Sequence, residues 1–89
     1  MRKIALSKKF TKKLKKLTPK KFNMVSVAVG KFEKGEDETL GIHKLKGTFK
    51  NFWSFDVEYD LRVIYSVNKN GSVMLHILEN VGTHNELYG

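Results

Sequence analysis

Outside the lysine clusters, the residues whose types could act on a substrate are His43, Ser54, Asp56, Asp60, Arg62, His84 and Tyr88. No glycine-rich loop accompanies them to cradle a phosphate. His43, His76 and His84 stand in three separate segments, without metal-ligand spacing. No Ser-His-Asp order stands out, and the chain has no cysteine, so a Cys-based zinc site is excluded. Neither a metal nor a cofactor is expected. Arg62 is the most informative member: it is one of only two arginines beside 15 lysines. Its rigid fork of donors matches a phosphate in a way that lysine does not. An ion pair across a sheet with Asp56 or Glu58 accounts for it equally well. His84 follows Gly82-Thr83. An imidazole, ordinarily titrating near pH 6.5, gives or takes a proton near neutrality, although a histidine in such a place is more often simply exposed. His43, in a basic segment, has the same two readings. His76 is expected mid-strand, on the Arg62 side by parity, packing structurally.

A polyanion is the partner that the charge distribution implies. The chain has 89 residues, a net charge of +8 and a pI near 9.8. Residues 1–21 hold ten of the 17 basic residues and no acidic one, while the remainder carries seven basic and nine acidic. Nucleic acid or an acidic protein segment fits this asymmetry. Lys8, Lys9, Lys12, Lys13, Lys15 and Lys16, with Lys44 and Lys46 in a second basic stretch, are the residues that would contact such a polyanion, RNA among them. The bland alternative is a solvated lysine-rich helix face. An apolar content of 40% with 11% aromatics excludes a disordered basic tail. The length allows one domain, residues 1–89. Absent cysteines fit a reducing compartment, and Met1–Lys9 lacks the apolar core of a signal peptide, so the expected location is the cytoplasm. Membrane binding ranks low, because the apolar stripe Phe10/Leu14/Leu17 is narrow and is needed for docking.

The elements that must position these residues follow from periodicity. Residues 2–6 can form a short strand, and Ser7 is a good N-cap. Phe10, Leu14 and Leu17 recur at i, i+4 and i+7 on an otherwise lysine-rich helix. Thr18-Pro19 starts a second helix, whose apolar face is Phe22, Val25, Val29 and Phe32 with Ala28 alongside; Gly35 ends it. From Trp53 the period becomes two. Trp53, Phe55, Val57 and Tyr59 form the apolar face, with Ser54, Asp56 and Glu58 opposite. Tyr59-Asp60 reads as a turn, Leu61–Val67 as the next strand, Asn70-Gly71 as a hairpin signal and Val73–Asn80 as the last strand. The tail after Gly82 is short and polar. The predicted class is therefore α+β in the order β-α-α-β-β-β: a small antiparallel sheet with a basic αα-hairpin on its Trp53/Phe55/Val63/Tyr65 face. The first strand should join a sheet edge.

With this order on the page, His43-Lys44-Leu45-Lys46-Gly47, Trp53–Tyr59, Asp60-Leu61-Arg62-Val63-Ile64-Tyr65 and Val81–Tyr88 resemble the RelE/ParE toxin superfamily. The ending is most similar to the YafQ-type branch of bacterial mRNA interferases. The resemblance implies the toxin of a type II toxin–antitoxin pair that cuts mRNA, usually on the translating ribosome. Its partners would be a cognate antitoxin, the ribosome and mRNA, with the toxin alone monomeric and a hetero-oligomer formed with the antitoxin. Carried over by motif, the family's site residues fall on His43, Asp60, Arg62, His84 and Tyr88. Two positions depart from the pattern: Asp56 stands where related toxins carry a His, and Asn80 where an Arg is often found. The implied chemistry is metal-independent attack of a ribose 2′-OH on the adjacent phosphate. His84 would be acid or base with His43 as partner, Asp60 would orient, Arg62 would stabilise the phosphorane and Tyr88 would stack on a base or hydrogen-bond the phosphate. Two alternatives remain at this level: a ParE-like gyrase poison on the same fold, or a non-enzymatic basic RNA-binding module.

Overall fold

Ser7 turns the chain from its first strand into its first helix in the computed structural model, which describes all 89 residues. β1 spans Lys3–Leu6 and α1 spans Lys8–Lys15. The Ser7 hydroxyl accepts the Phe10 amide hydrogen at 3.0 Å, satisfying one of the donors that a helix start leaves open. Thr18 caps α2 (Pro19–Lys34) in the same way, and Gly35 closes it at φ 78°, a left-handed conformation suited to glycine. The αα-hairpin is thus as the sequence predicts.

The sheet has five strands. β2 (His43–Lys44), β3 (Trp53–Glu58), β4 (Leu61–Asn70) and β5 (Val73–Gly82) join β1 in the order β1-β5-β4-β3-β2. β1 runs parallel to β5, and every other pair is antiparallel. The α+β class holds, with additions. His43–Lys44, expected to be irregular, forms a short edge strand on β3. The tail, expected to be only polar and short, forms α3 (His84–Tyr88). Thr83 and Glu86 cap it reciprocally, side chain to backbone, and this T-x-x-E spacing was the available signal. The β4–β5 turn falls on Gly71-Ser72, with Gly71 at φ 64°, because Asn70 still pairs with Val73.

Helix and sheet meet in one core. Phe10, Val25, Ala28 and Phe32 pack on Phe55, Val63, Tyr65, Leu78 and Val81. Phe32 is wholly buried, its ring 4.7 Å from those of both Phe55 and Tyr65. Phe22, expected on this face, is 44% exposed, since it sits in the first turn of α2, before the residues that reach the sheet. Tyr59, also expected there, lies in the β3–β4 turn and is exposed.

A bulge corrects the predicted parity of β5. Ile64 faces Asn80 and Tyr65 faces Leu78, so Glu79 is an extra residue. Leu78 and His76 consequently point towards the helices. His76 does pack structurally, but on the opposite face from Arg62, with its ring edge-on to Phe32 at 5.6 Å. On the second face, Ser54 and Ile64 are buried rather than solvated. Ile64 lies with Phe49 and Phe52, from the segment that follows β2.

Arg2 belongs to this frame, not to the basic surface. Its guanidinium grips both Asp37 carboxylate oxygens at 2.8 and 2.7 Å, donates to the Phe32 carbonyl at 2.7 Å and lies 4.4 Å over the Phe32 ring. The hydrogen bond from Arg2 holds the Asp37 carboxyl below its ordinary range. Stability from a lowered carboxylate is present above the unfolded value, about pH 4, and is lost as pH falls through the folded one. Asp37→Asn should therefore lower the thermal midpoint at pH 7, and the gap from wild type should close on acidification towards pH 3. A gap that persists in acid would assign Asp37 a role independent of its charge.

Candidate functional site

The polar residues of the second sheet face fall into three groups. The first is His43 with Ser54. The His43 Nδ1 lies 3.0 Å from the Gly41 carbonyl and the Nε2 lies 3.3 Å from the Ser54 hydroxyl. A carbonyl only accepts, so Nδ1 carries the hydrogen and, in the neutral ring, Nε2 accepts from Ser54. Gly41 fixes the approach: at φ 56°, a Cβ there would come within 2.6 Å of Asp56 Oδ2.

The second group is Arg62 with Asp56, paired across β3 and β4. Nε stands 3.5 Å from Oδ1, and both atoms are buried without a hydrogen bond. The ion pair foreseen as one reading of Arg62 is present but loose. It neutralises the guanidinium without engaging its fork.

The third group gathers Asp60, His84 and Tyr88. The His84 backbone N–H donates to Asp60 Oδ1 at 3.0 Å, tying the start of α3 to the β3–β4 turn. Asp60 therefore positions His84 through the main chain rather than through its imidazole. The exposed His84 ring packs edge-on against Tyr88 at 4.9 Å, and Tyr88 packs against Phe49 at 5.3 Å. The Tyr88 hydroxyl is buried with no partner, a costly state for a polar group unless something else supplies the bond. Arg62 lies between the groups: its strand neighbour on one side is Asp56, and on the other is Gly82, two residues before His84.

Basic residues border this face at both ends. Lys8, Lys9, Lys12 and Lys15 are exposed on α1, which packs on β5, as is Lys16 at its C-cap, and Lys44 and Lys46 are exposed at the β2 edge. Lys13 is half-buried and lines a shallow groove with Lys16 and Glu86. Hydrogen bonds from Thr83, followed by the charges of Lys13 and Lys21, keep the Glu86 carboxyl below its usual range. Between the basic borders lies a cavity of about 230 Å³, walled by Phe49, Phe52, Ile64, Glu79 and Asn80 and reached by Lys9. The aromatic pair Phe49 and Phe52, and the placement of Glu79 by the bulge, are absent from the sequence-level candidates. No three His, Cys, Asp or Glu side chains converge, and no helix is long and apolar enough to cross a membrane.

A basic αα-hairpin on one face of a β1-β5-β4-β3-β2 sheet, with polar residues on the other, is the architecture of a YafQ-type bacterial toxin. The family model for YafQ, the bacterial toxin of a type II toxin–antitoxin system, matches residues 2–89, and the chain belongs to this family. The toxin chain in the E. coli DinJ–YafQ toxin–antitoxin complex is 26% identical with a TM-score of 0.75, over 99% of this chain and 98% of that one. A metal-bound toxin from Helicobacter pylori is 28% identical with a TM-score of 0.72, over 99% and 100%. The YoeB/ParE toxin from Agrobacterium tumefaciens is 15% identical over 92% and 98%, with a TM-score of 0.71, a likeness of fold alone. No curated protein sequence matches significantly.

Proposed function

We propose that this toxin is a ribosome-dependent mRNA endoribonuclease, silenced by a cognate antitoxin. The observation that carries the reading is the grouping at the start of α3: the exposed imidazole of His84, whose backbone N–H is held by Asp60, packs against the ring of Tyr88, whose hydroxyl is unpartnered, and Arg62 pairs with Gly82, two residues before His84. A ribose 2′-oxygen attacks the adjacent phosphorus, and the 5′-oxygen leaves. The products are a 2′,3′-cyclic phosphate and a 5′-OH end. His84 takes the 2′-hydroxyl proton, and the imidazolium so formed returns a proton to the leaving 5′-oxygen; His43, whose ring nitrogens face Gly41 and Ser54, stands in a separate group. The Arg62 fork meets charge on the phosphorane, and the Tyr88 hydroxyl gains the partner it lacks. Asp56, where related toxins carry His, instead balances the Arg62 charge. End-group analysis of mRNA cut on ribosomes by purified toxin tests the chemistry. Cyclic phosphate and 5′-OH ends support it, whereas a 3′-OH product or a strict Mg²⁺ requirement in the bond-breaking step would sink it. DNA-damage signalling without mRNA cuts would favour the gyrase-poison alternative.

The lysines supply long-range attraction. Lys12 and Lys15 are exposed and lie outside the groove with Glu86. Reversing both to Glu should weaken ribosome binding at low salt and lower the log–log salt slope by about 0.7–0.9 for each phosphate no longer neutralised. An unchanged slope, measured by sedimentation across a salt series, would make this helix a solvated face only. The antitoxin is expected to be acidic and partly disordered, ordering as it covers the basic helices or the sheet rim; that the related E. coli YafQ forms a toxin–antitoxin complex with DinJ supports a protein partner.

A further inference from the structure

Glu79 and Asn80 are consecutive in β5, yet both line the cavity on the Arg62 side, because the bulge breaks strand alternation there. Phe49 and Phe52 line the same cavity with Ile64, the cross-strand neighbour of Asn80, and the two phenyl rings lie edge-to-face at 6.3 Å. The hydrogen-bonding capacity of the polar wall is half committed. Asn80 Oδ1 accepts the Val81 amide hydrogen at 2.9 Å, which fixes the side chain and leaves its NH₂ group to donate. Glu79 Oε2 accepts the Ser66 hydroxyl at 2.6 Å, which leaves Oε1 to accept. Lys9 lies at the rim. The site therefore offers an aromatic surface, an amide donor, a carboxylate acceptor and a cation, within a volume of about 230 Å³.

We propose that this cavity is a guanine-selective subsite for one unstacked base of single-stranded RNA. Sequence-specific readers of single-stranded RNA stack a splayed base on aromatic side chains and bond its Watson–Crick edge. A carboxylate only accepts. Guanine alone presents two adjacent donors, N1–H and the 2-amino group, beside an acceptor, O6, for the Asn80 amide. Adenine and cytosine place an unprotonated ring nitrogen where the carboxylate would meet it. Uracil offers one N–H between two carbonyls and less surface to stack. The proposal rests on the RNA-cleavage reading and names the specificity of the same face.

The test has a binding arm and a cleavage arm. In the first, purified toxin is titrated with GMP, AMP, CMP and UMP while the Asn80 side-chain amide signals are followed by NMR. GMP should move them and bind about 5-fold or more tighter than the other three. Glu79→Gln and Asn80→Asp should each abolish that preference, and Asn80→Asp keeps an oxygen for the Val81 amide, so its fold is safeguarded. Equal binding of all four nucleotides, or GMP shifts confined to residues away from Asn80, overturns the subsite. In the second arm, cut sites on ribosome-bound mRNA should be enriched in G at one fixed codon position, and Glu79→Gln should erase the enrichment. Enrichment unchanged in Glu79→Gln overturns the subsite while leaving cleavage intact. GMP binding at Asn80 by a protein that cuts no mRNA upholds the subsite and removes the nuclease.

Discussion

Replacing His84 by alanine should lower mRNA cleavage by about 10²–10⁴ while the protein stays folded and still binds the ribosome. The structure separates the two effects. The bond from His84 to Asp60 uses the backbone N–H, which alanine keeps. α3 is anchored by the buried Leu87 and by the Thr83/Glu86 cap, neither of which involves the imidazole. The ring itself touches Tyr88 and is otherwise exposed, so its removal should cost within about 0.5 kcal/mol of stability. Single-turnover cleavage with ribosome binding measured alongside decides the matter. Full cleavage in His84→Ala would move the proton-transfer role to His43 or Tyr88, and full activity in Arg62→Ala as well would leave the binding-module reading. Asp60→Ala makes a useful companion. Because Asp60 positions His84 rather than touching the phosphate, its loss should slow the chemical step more than it weakens RNA binding.

The largest stability effect is expected at Phe32. Its ring is fully buried between Phe55 and Tyr65, with the Arg2 guanidinium over it and the His76 ring against it. Phe32→Ala opens a cavity at the point where α2, the sheet and the start of β1 meet. It should cost about 3–5 kcal/mol, a large share of what a small domain has. Phe22→Ala, ten residues earlier on the same helix, removes an equal side chain from a position 44% exposed and should cost far less. Urea melts of the two variants check the contrast. Equal midpoints would mean that the aromatic stack contributes little.

The residues made the frame legible where local chemistry decides structure. Ser7, Thr18-Pro19 and Gly35 mark helix ends by hydrogen-bonding and dihedral preferences that act within a few residues, and each falls where expected. What escaped depends on distant partners. β2 is two residues long and exists only because β3 lies beside it. The parity of His76 fails because the extra residue at Glu79 is set by pairing with β4, which no pattern within β5 reveals. Ser54 looks solvated in an alternating strand but is buried beneath His43 and its loop. At the site, Asp60 and His84 were legible as candidates, but the use of a main-chain bond between them was not. Thr83-x-x-Glu86 is the one miss that carried a readable local signal.

The parallel pairing of β1 with β5 also governs how this chain is made. Lys3 pairs with Leu75 and Leu6 with Leu78, so the earliest strand to be synthesised waits for almost the latest. Leu78 and Val81, which seal the core, arrive in the same final stretch. Pairings so far apart in sequence form slowly, and synthesis at about 5–20 residues per second delivers their partners later still. A nascent chain shorter than this stretch has neither a closed sheet nor α3 with His84. Until Leu75–Leu78 are made, β1 has no strand to pair with and the core lacks its seal. A nascent chain that stalls before β5 therefore presents the apolar faces of α1 and α2 with no complete sheet to cover them, which makes pausing in that stretch a route to aggregation.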